Sequence, residues 1–129
     1  MPHVKIAGLR SADELFVQLL PFQTRDETGV QKVSSYFLEQ GGKSILAEAL
    51  VADGGLPRHF FISVNWRGEQ ATVRCLPATD PEKTAAVKRL IVRLAMRLRD
   101  LCPQARFVGD NVPEIIAALA EAEEGAEPD

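Results

Sequence analysis

The run His59-Phe60-Phe61-Ile62-Ser63-Val64-Asn65-Trp66-Arg67-Gly68-Glu69-Gln70-Ala71-Thr72-Val73-Arg74-Cys75 sets the architecture expected of this chain. Its halves, 59–66 and 70–76, are rich in Phe, Ile, Val, Trp and Thr and are split at Arg67-Gly68, the composition of two strands joined by a tight hairpin. A loop of two residues, or of four, pairs positions whose numbers sum to 135. That pairing places Phe60, Ile62, Val64 and Trp66 on one face with Ala71, Val73 and Cys75. A three-residue loop would set the same apolar row beside Gln70, Thr72 and Arg74, which a sheet with one buried face cannot accept. One face is therefore core, and the other carries Phe61, Ser63, Asn65, Gln70, Thr72 and Arg74.

Upstream, Ser44 to Ala52 reads as a third strand, because Asp53-Gly54-Gly55-Leu56-Pro57 is a turn leading into the extended segment. Downstream, Asp80 as N-cap and Pro81 at the first helical position open a helix over 82–101. Its Val87, Leu90, Ile91, Leu94, Leu98 and Leu101 form one apolar stripe. Nearer the N-terminus, His3–Gly8 alternates like a short strand, and Ser11 with Glu14 forms a capping box for a helix that ends at Pro21. Val30, Val33, Tyr36 and Phe37 fall at helical spacing before Gly41-Gly42, which predicts a second helix over 30–40. Arg106–Gly109 suggests a brief edge strand and Pro113–Glu124 a last helix. The expected fold is α+β: a mainly antiparallel sheet of three to four strands (meander 44–52, 59–66, 70–76), the helix 82–101 packed on one face, and N-terminal helices beside it. Residues 1–124 form a single domain and 125–129 a disordered acidic tail.

The chain has 129 residues and a formal charge of −3, which hides an asymmetry. Residues 110–129 hold seven acids and no Lys or Arg, so the remaining 15 basic and 11 acidic residues give 1–109 a charge of +4. Basic charge concentrates on the predicted helix, where Arg89, Arg93 and Arg97 form a ladder at i, i+4 and i+8. Val92 and Met96 sit on the side away from the apolar stripe, framed by arginines, as a partner surface would. No apolar run approaches the roughly 20 residues of a membrane span, and the N-terminus lacks a signal-peptide core, which points to a soluble cytoplasmic protein.

Motifs for catalysis are sparse. Gly41-Gly42-Lys43-Ser44 ends like a phosphate-binding loop but has Phe37 where the first glycine belongs, and is better read as a turn from helix to strand. With only His3, His59, Cys75 and Cys102, neither a metal site nor a cofactor is expected, and His59 lies on the face opposite Cys75, too poorly placed for a Cys–His nucleophile. Trp66 belongs to the core edge. The function expected is a non-enzymatic binding or interaction module that self-associates as a homodimer, through the exposed sheet face or the Arg89/Arg93/Arg97 helix face with Val92 and Met96. The alternative is a small enzyme or a binder of an anionic ligand (phosphate or nucleic acid) whose pocket lies between sheet and helix, with Arg74, Arg67 and His59 as its polar groups. Nucleic acid is disfavoured because no aromatics interleave with the basic residues, and membrane contact is not expected.

Overall fold

A computed structural model describes residues 1–79 and 81–125, with side chains to residue 122. Seven strands form one antiparallel sheet: β1 (His3–Ala7), β2 (Phe22–Asp26), β3 (Gly29–Leu38), β4 (Ser44–Asp53), β5 (Leu56–Arg67), β6 (Gln70–Cys75) and β7 (Arg106–Asp110). Their order across the sheet is β2-β3-β4-β5-β6-β1-β7, and the sheet curls into a half-barrel. Among the described residues three short α-helices complete it: α1 (Ala12–Phe16), α2 (Ala85–Asp100) and α3 (Pro113–Gly125).

The expectation of three or four strands with N-terminal helices beside them is thus overturned, chiefly at residues 30–40. This segment is the ten-residue strand β3, paired with β2 on one side and β4 on the other. A bulge between Val33 and Ser35 explains the helical spacing. Val33 and Tyr36 both pair with inward-facing residues, Ala49 and Ala47, although three positions separate them rather than two. An extra residue in a strand converts a period of two into an apparent period of three. The first helix is also cut short at Phe16, and α2 begins at Ala85 because the Thr84 hydroxyl accepts the Val87 N–H at 3.3 Å. Asp80, expected as the cap, and the tail from 126 onward lie outside the described residues.

The β5–β6 hairpin turns on Gly68-Glu69, so Arg67 pairs with Gln70 and Ile62 with Cys75. Paired positions sum to 137 rather than 135, a shift of two residues that leaves every side chain on its expected face while moving Phe61, not His59, opposite the end of β6. The inner face holds Val4, Ile6, Val33, Ile45, Ala47, Ala49, Phe60, Ile62, Val64, Ala71, Val73 and Cys75, all buried. Against it α2 packs on β1, β3, β4 and β6, and α3 packs against α2. Gly29, at the end of the two-residue β2–β3 turn, has φ +124°, and an added Cβ would sit 2.2 Å from the Ala52 carbonyl oxygen, so this close approach admits only glycine.

Candidate functional site

The arginine ladder of α2 is consumed inside the fold. Asp26, on the edge strand β2, points toward α2, where its Oδ2 takes Arg89 Nη1 at 3.0 Å and Arg93 Nη2 at 2.9 Å. Gln31 is completely buried and joins them: its Nε2 donates to Asp26 Oδ2 at 3.0 Å and its Oε1 accepts from Arg93 Nε at 3.0 Å. Burial works to raise the Asp26 pKa, but the Thr28 hydroxyl and backbone N–H, Gln31 and Arg89 together hold the carboxyl well below its usual range. Arg89 also reaches Glu27 at 2.9 Å. Arg97 lies over the Phe22 ring, 3.9 Å from its centroid. Arg89 and Arg93 therefore bind α2 to the β2–β3 hairpin, and only Arg97, exposed over Phe22, remains of the expected basic surface.

Val92 and Met96 are not exposed either: they are 0% and 2% accessible. α2 packs against four strands and α3, and Met96 borders Leu19 and Phe22, so side chains around most of its circumference are buried and apolar residues off the main stripe have core roles. A cleft of about 460 Å³ does lie between α2 and β2, lined by Leu19, Phe22, Arg93, Met96, Arg97 and Asp100 among others. Arg74, Arg67 and His59 are absent from it, because alternation places all three on the outer face of the sheet, away from the helix. His59 is opposite Leu50, two rows from Arg74 along that face. Cys75 and Cys102 are buried thiols.

The outer face gathers a different set. Antiparallel pairing aligns Ser44, Asn65, Thr72 and Lys5 in one row across β4, β5, β6 and β1. The row on one side of it is Leu46, Ser63, Arg74 and His3, and the row on the other side contains Arg67 and Gln70. With strands about 4.8 Å apart, the row from Ser44 to Lys5 spans roughly 14 Å. A shallow depression of about 790 Å³ covers this area, and its lining, which also includes Lys43 and Trp66, contains no carboxylate. Among the described residues none of Lys5, Lys43, Arg67 and Arg74 forms an ion pair.

A hydrogen-bond chain runs from Ser44 and Asn65 in the lining of the depression to Ser63 beside it. Ser44 Oγ donates to Asn65 Oδ1 at 2.7 Å, and Asn65 Nδ2 donates to Ser63 Oγ. The Ser63 hydroxyl, 4% accessible, keeps its own proton without an acceptor among the described residues, directly across from Arg74. Trp66 is half-buried at the rim and anchors its indole N–H on the Arg10 carbonyl at 3.0 Å. Lys43 enters through the β3–β4 hairpin, where Gly42 has φ +73°. A strand leads into Gly41-Gly42-Lys43-Ser44 and a strand leads out, so no helix N-terminus is there to hold a phosphate.

The chain matches no protein-family model, no curated protein and no solved structure in comparison. Sequence alternation places Ser63, Asn65, Arg67, Thr72 and Arg74 on one face, but Lys5, Lys43 and Ser44 join them only through the strand order β4-β5-β6-β1. The one available signal for β1 was its alternation over His3–Gly8, which specifies a strand and not its neighbours.

Proposed function

We propose that the protein is a non-enzymatic binding module that takes an anionic ligand on the outer face of its sheet. The observation that carries this reading is the concentration of Lys5, Lys43, Arg67 and Arg74, without carboxylate partners among the described residues, around the Ser44, Asn65 and Thr72 polar groups. Unpaired surface cations repel one another, and an anion that brings them together gains charge-assisted hydrogen bonds from several at once. The α2–β2 cleft supports anion binding less well, since Arg93 is already committed to Asp26 and Gln31, and Asp100 contributes a carboxylate. A binding role also fits the placement of the possible nucleophiles, because both thiols are buried apart from His59, which is exposed on the outer face.

Trp66, the only tryptophan, lines the depression and gives a direct readout. Titration with citrate, sulfate and phosphate is expected to change its fluorescence saturably, with affinity weakening as ionic strength rises past about 0.1 M and the Debye length falls below roughly 10 Å. Fluorescence indifferent to all three anions at low salt would refute the reading.

Self-association belongs to the same proposal. Val17 and Leu20, three residues apart after α1, are 78% and 71% exposed and offer an apolar contact for a second copy. Sedimentation at micromolar concentration is expected to show a dimer that Leu20→Asp converts to a monomer. A native chain that sediments as a monomer would remove self-association and leave the anion site untouched.

A further inference from the structure

The outer face is not uniformly basic, and its two halves suggest what kind of anion fits. Beyond Ser63 in the same row stand Leu46 and then Phe37, which is 50% exposed and tilted against Phe61 with ring centroids 6.3 Å apart. Across the row, therefore, an apolar aromatic end on β3 and β4 passes through a hydroxyl on β5 to a guanidinium on β6. Directly opposed residues of an antiparallel pair have Cβ atoms about 5 Å apart, so Leu46, Ser63 and Arg74 lie within the span of one small molecule.

The polar end offers donors in several directions. Ser63 presents a hydroxyl proton, the Thr72 hydroxyl has no partner among the described residues, Arg74 brings a fork of N–H groups, and Lys5 stands opposite Thr72. A planar carboxylate is satisfied by one such fork. A tetrahedral phosphoryl group has three terminal oxygens and can use the hydroxyls, the guanidinium and the ammonium together. The cation cluster is also bounded: Glu48 occupies the outer face one row from Leu46, opposite Phe61, so the basic surface does not continue across the sheet as a track for a long polyanion would.

Resting on the reading of the outer face as an anion site, we infer that its ligand is a small organic phosphate, with the phosphoryl group held by Ser63, Thr72, Arg74 and Lys5 and a flat apolar body lying over Leu46 toward Phe37. The test is an amide chemical-shift titration of the full chain with inorganic phosphate, adenosine monophosphate and citrate. Both phosphates are expected to shift Ser63, Thr72 and Arg74. Adenosine monophosphate should also shift Leu46 and Phe37 and bind roughly tenfold tighter than inorganic phosphate. Ser63→Ala is expected to weaken both phosphates roughly tenfold, the order of magnitude of one lost hydrogen bond to a charged group, and citrate less. Thr72→Val gives the same comparison at a less buried position should Ser63→Ala not fold. Citrate binding as tightly as phosphate and losing as much in Ser63→Ala would overturn the inference while leaving the anion site standing. So would adenosine monophosphate binding no tighter than phosphate, or binding confined to vesicles of anionic lipid or to a single-stranded oligonucleotide. No shift with any anion would remove the underlying reading as well.

Discussion

Replacing Asp26 by Ala is expected to cost about 3–5 kcal/mol of folding stability, the usual penalty for removing one partner of a buried ionic cluster. Two guanidiniums and a fully buried amide converge on this carboxylate, and both Arg89 and Arg93 side chains are at least three-quarters covered. Without the carboxylate they keep their burial and lose their counter-charge, while Gln31 Nε2 retains only Thr28 Oγ1. For a domain of this size the loss corresponds to roughly 10–15 °C in melting temperature. Asp26→Asn should fall between, because it keeps an acceptor and surrenders the charge. The same group imposes a pH dependence. Its folded pKa is depressed, so its contribution is complete above the ordinary carboxyl value of 3.8 and is lost as pH falls toward the folded value. The stability difference between the native chain and Asp26→Asn should therefore be constant near neutral pH and shrink below about pH 4. A difference that stays constant down to pH 2 would show that the carboxylate charge is not what ties α2 to the β2–β3 hairpin.

Val92→Asp is the second large effect. On the surface a Val to Asp change is worth within about 0.5 kcal/mol, whereas a charge placed without a partner in the core costs several kcal/mol and exceeds much of a small domain's net stability. Val92 is fully buried, on a helix packed against the sheet and α3. The variant is expected to lose its cooperative thermal transition and its near-ultraviolet signal. A melting curve like that of the native chain would return Val92 to the surface that simple helical phasing assigns it.

What could be seen in the sequence and what could not divides along physical lines. The β5–β6 hairpin was legible because alternation allows one sidedness only, and the absolute register could still slip by two residues without moving any side chain to the wrong face. The β3 strand was not legible because its bulge imitates a helix, although Val30, Val33, Tyr36 and Phe37 are all residues that favour extended backbone. Helix 82–101 shows its stripe, but nothing in its own residues reveals which other segments pack around it, and for that reason Val92 and Met96 read as exposed. The ladder of arginines is visible in the sequence but its counter-charge is not: Arg89 and Arg93 meet Asp26, more than sixty positions away and on a hairpin that reads in the sequence as the link between two helices. The outer-face site depends on β1 crossing to pair with β6, a long-range event with no local signature.

The charge asymmetry between 1–109 and the acidic C-terminal residues takes on a more specific meaning in the fold. Of the basic residues, Arg89 and Arg93 are paired with Asp26 and Glu27, whereas Lys5, Lys43, Arg67 and Arg74 are gathered on one sheet face. We propose that this face, and not the arginines of α2, receives an anion. Pyrophosphate affinity, read by Trp66 fluorescence, is compared in Lys5→Gln/Arg74→Gln and in Arg97→Gln, since Arg97 makes no ion pair among the described residues and its loss leaves the Asp26 cluster intact. The double variant is predicted to bind at least roughly tenfold more weakly and Arg97→Gln to bind like the native chain. Undiminished binding in the double variant, with loss in Arg97→Gln, would contradict the account and move the site to the cleft between α2 and β2.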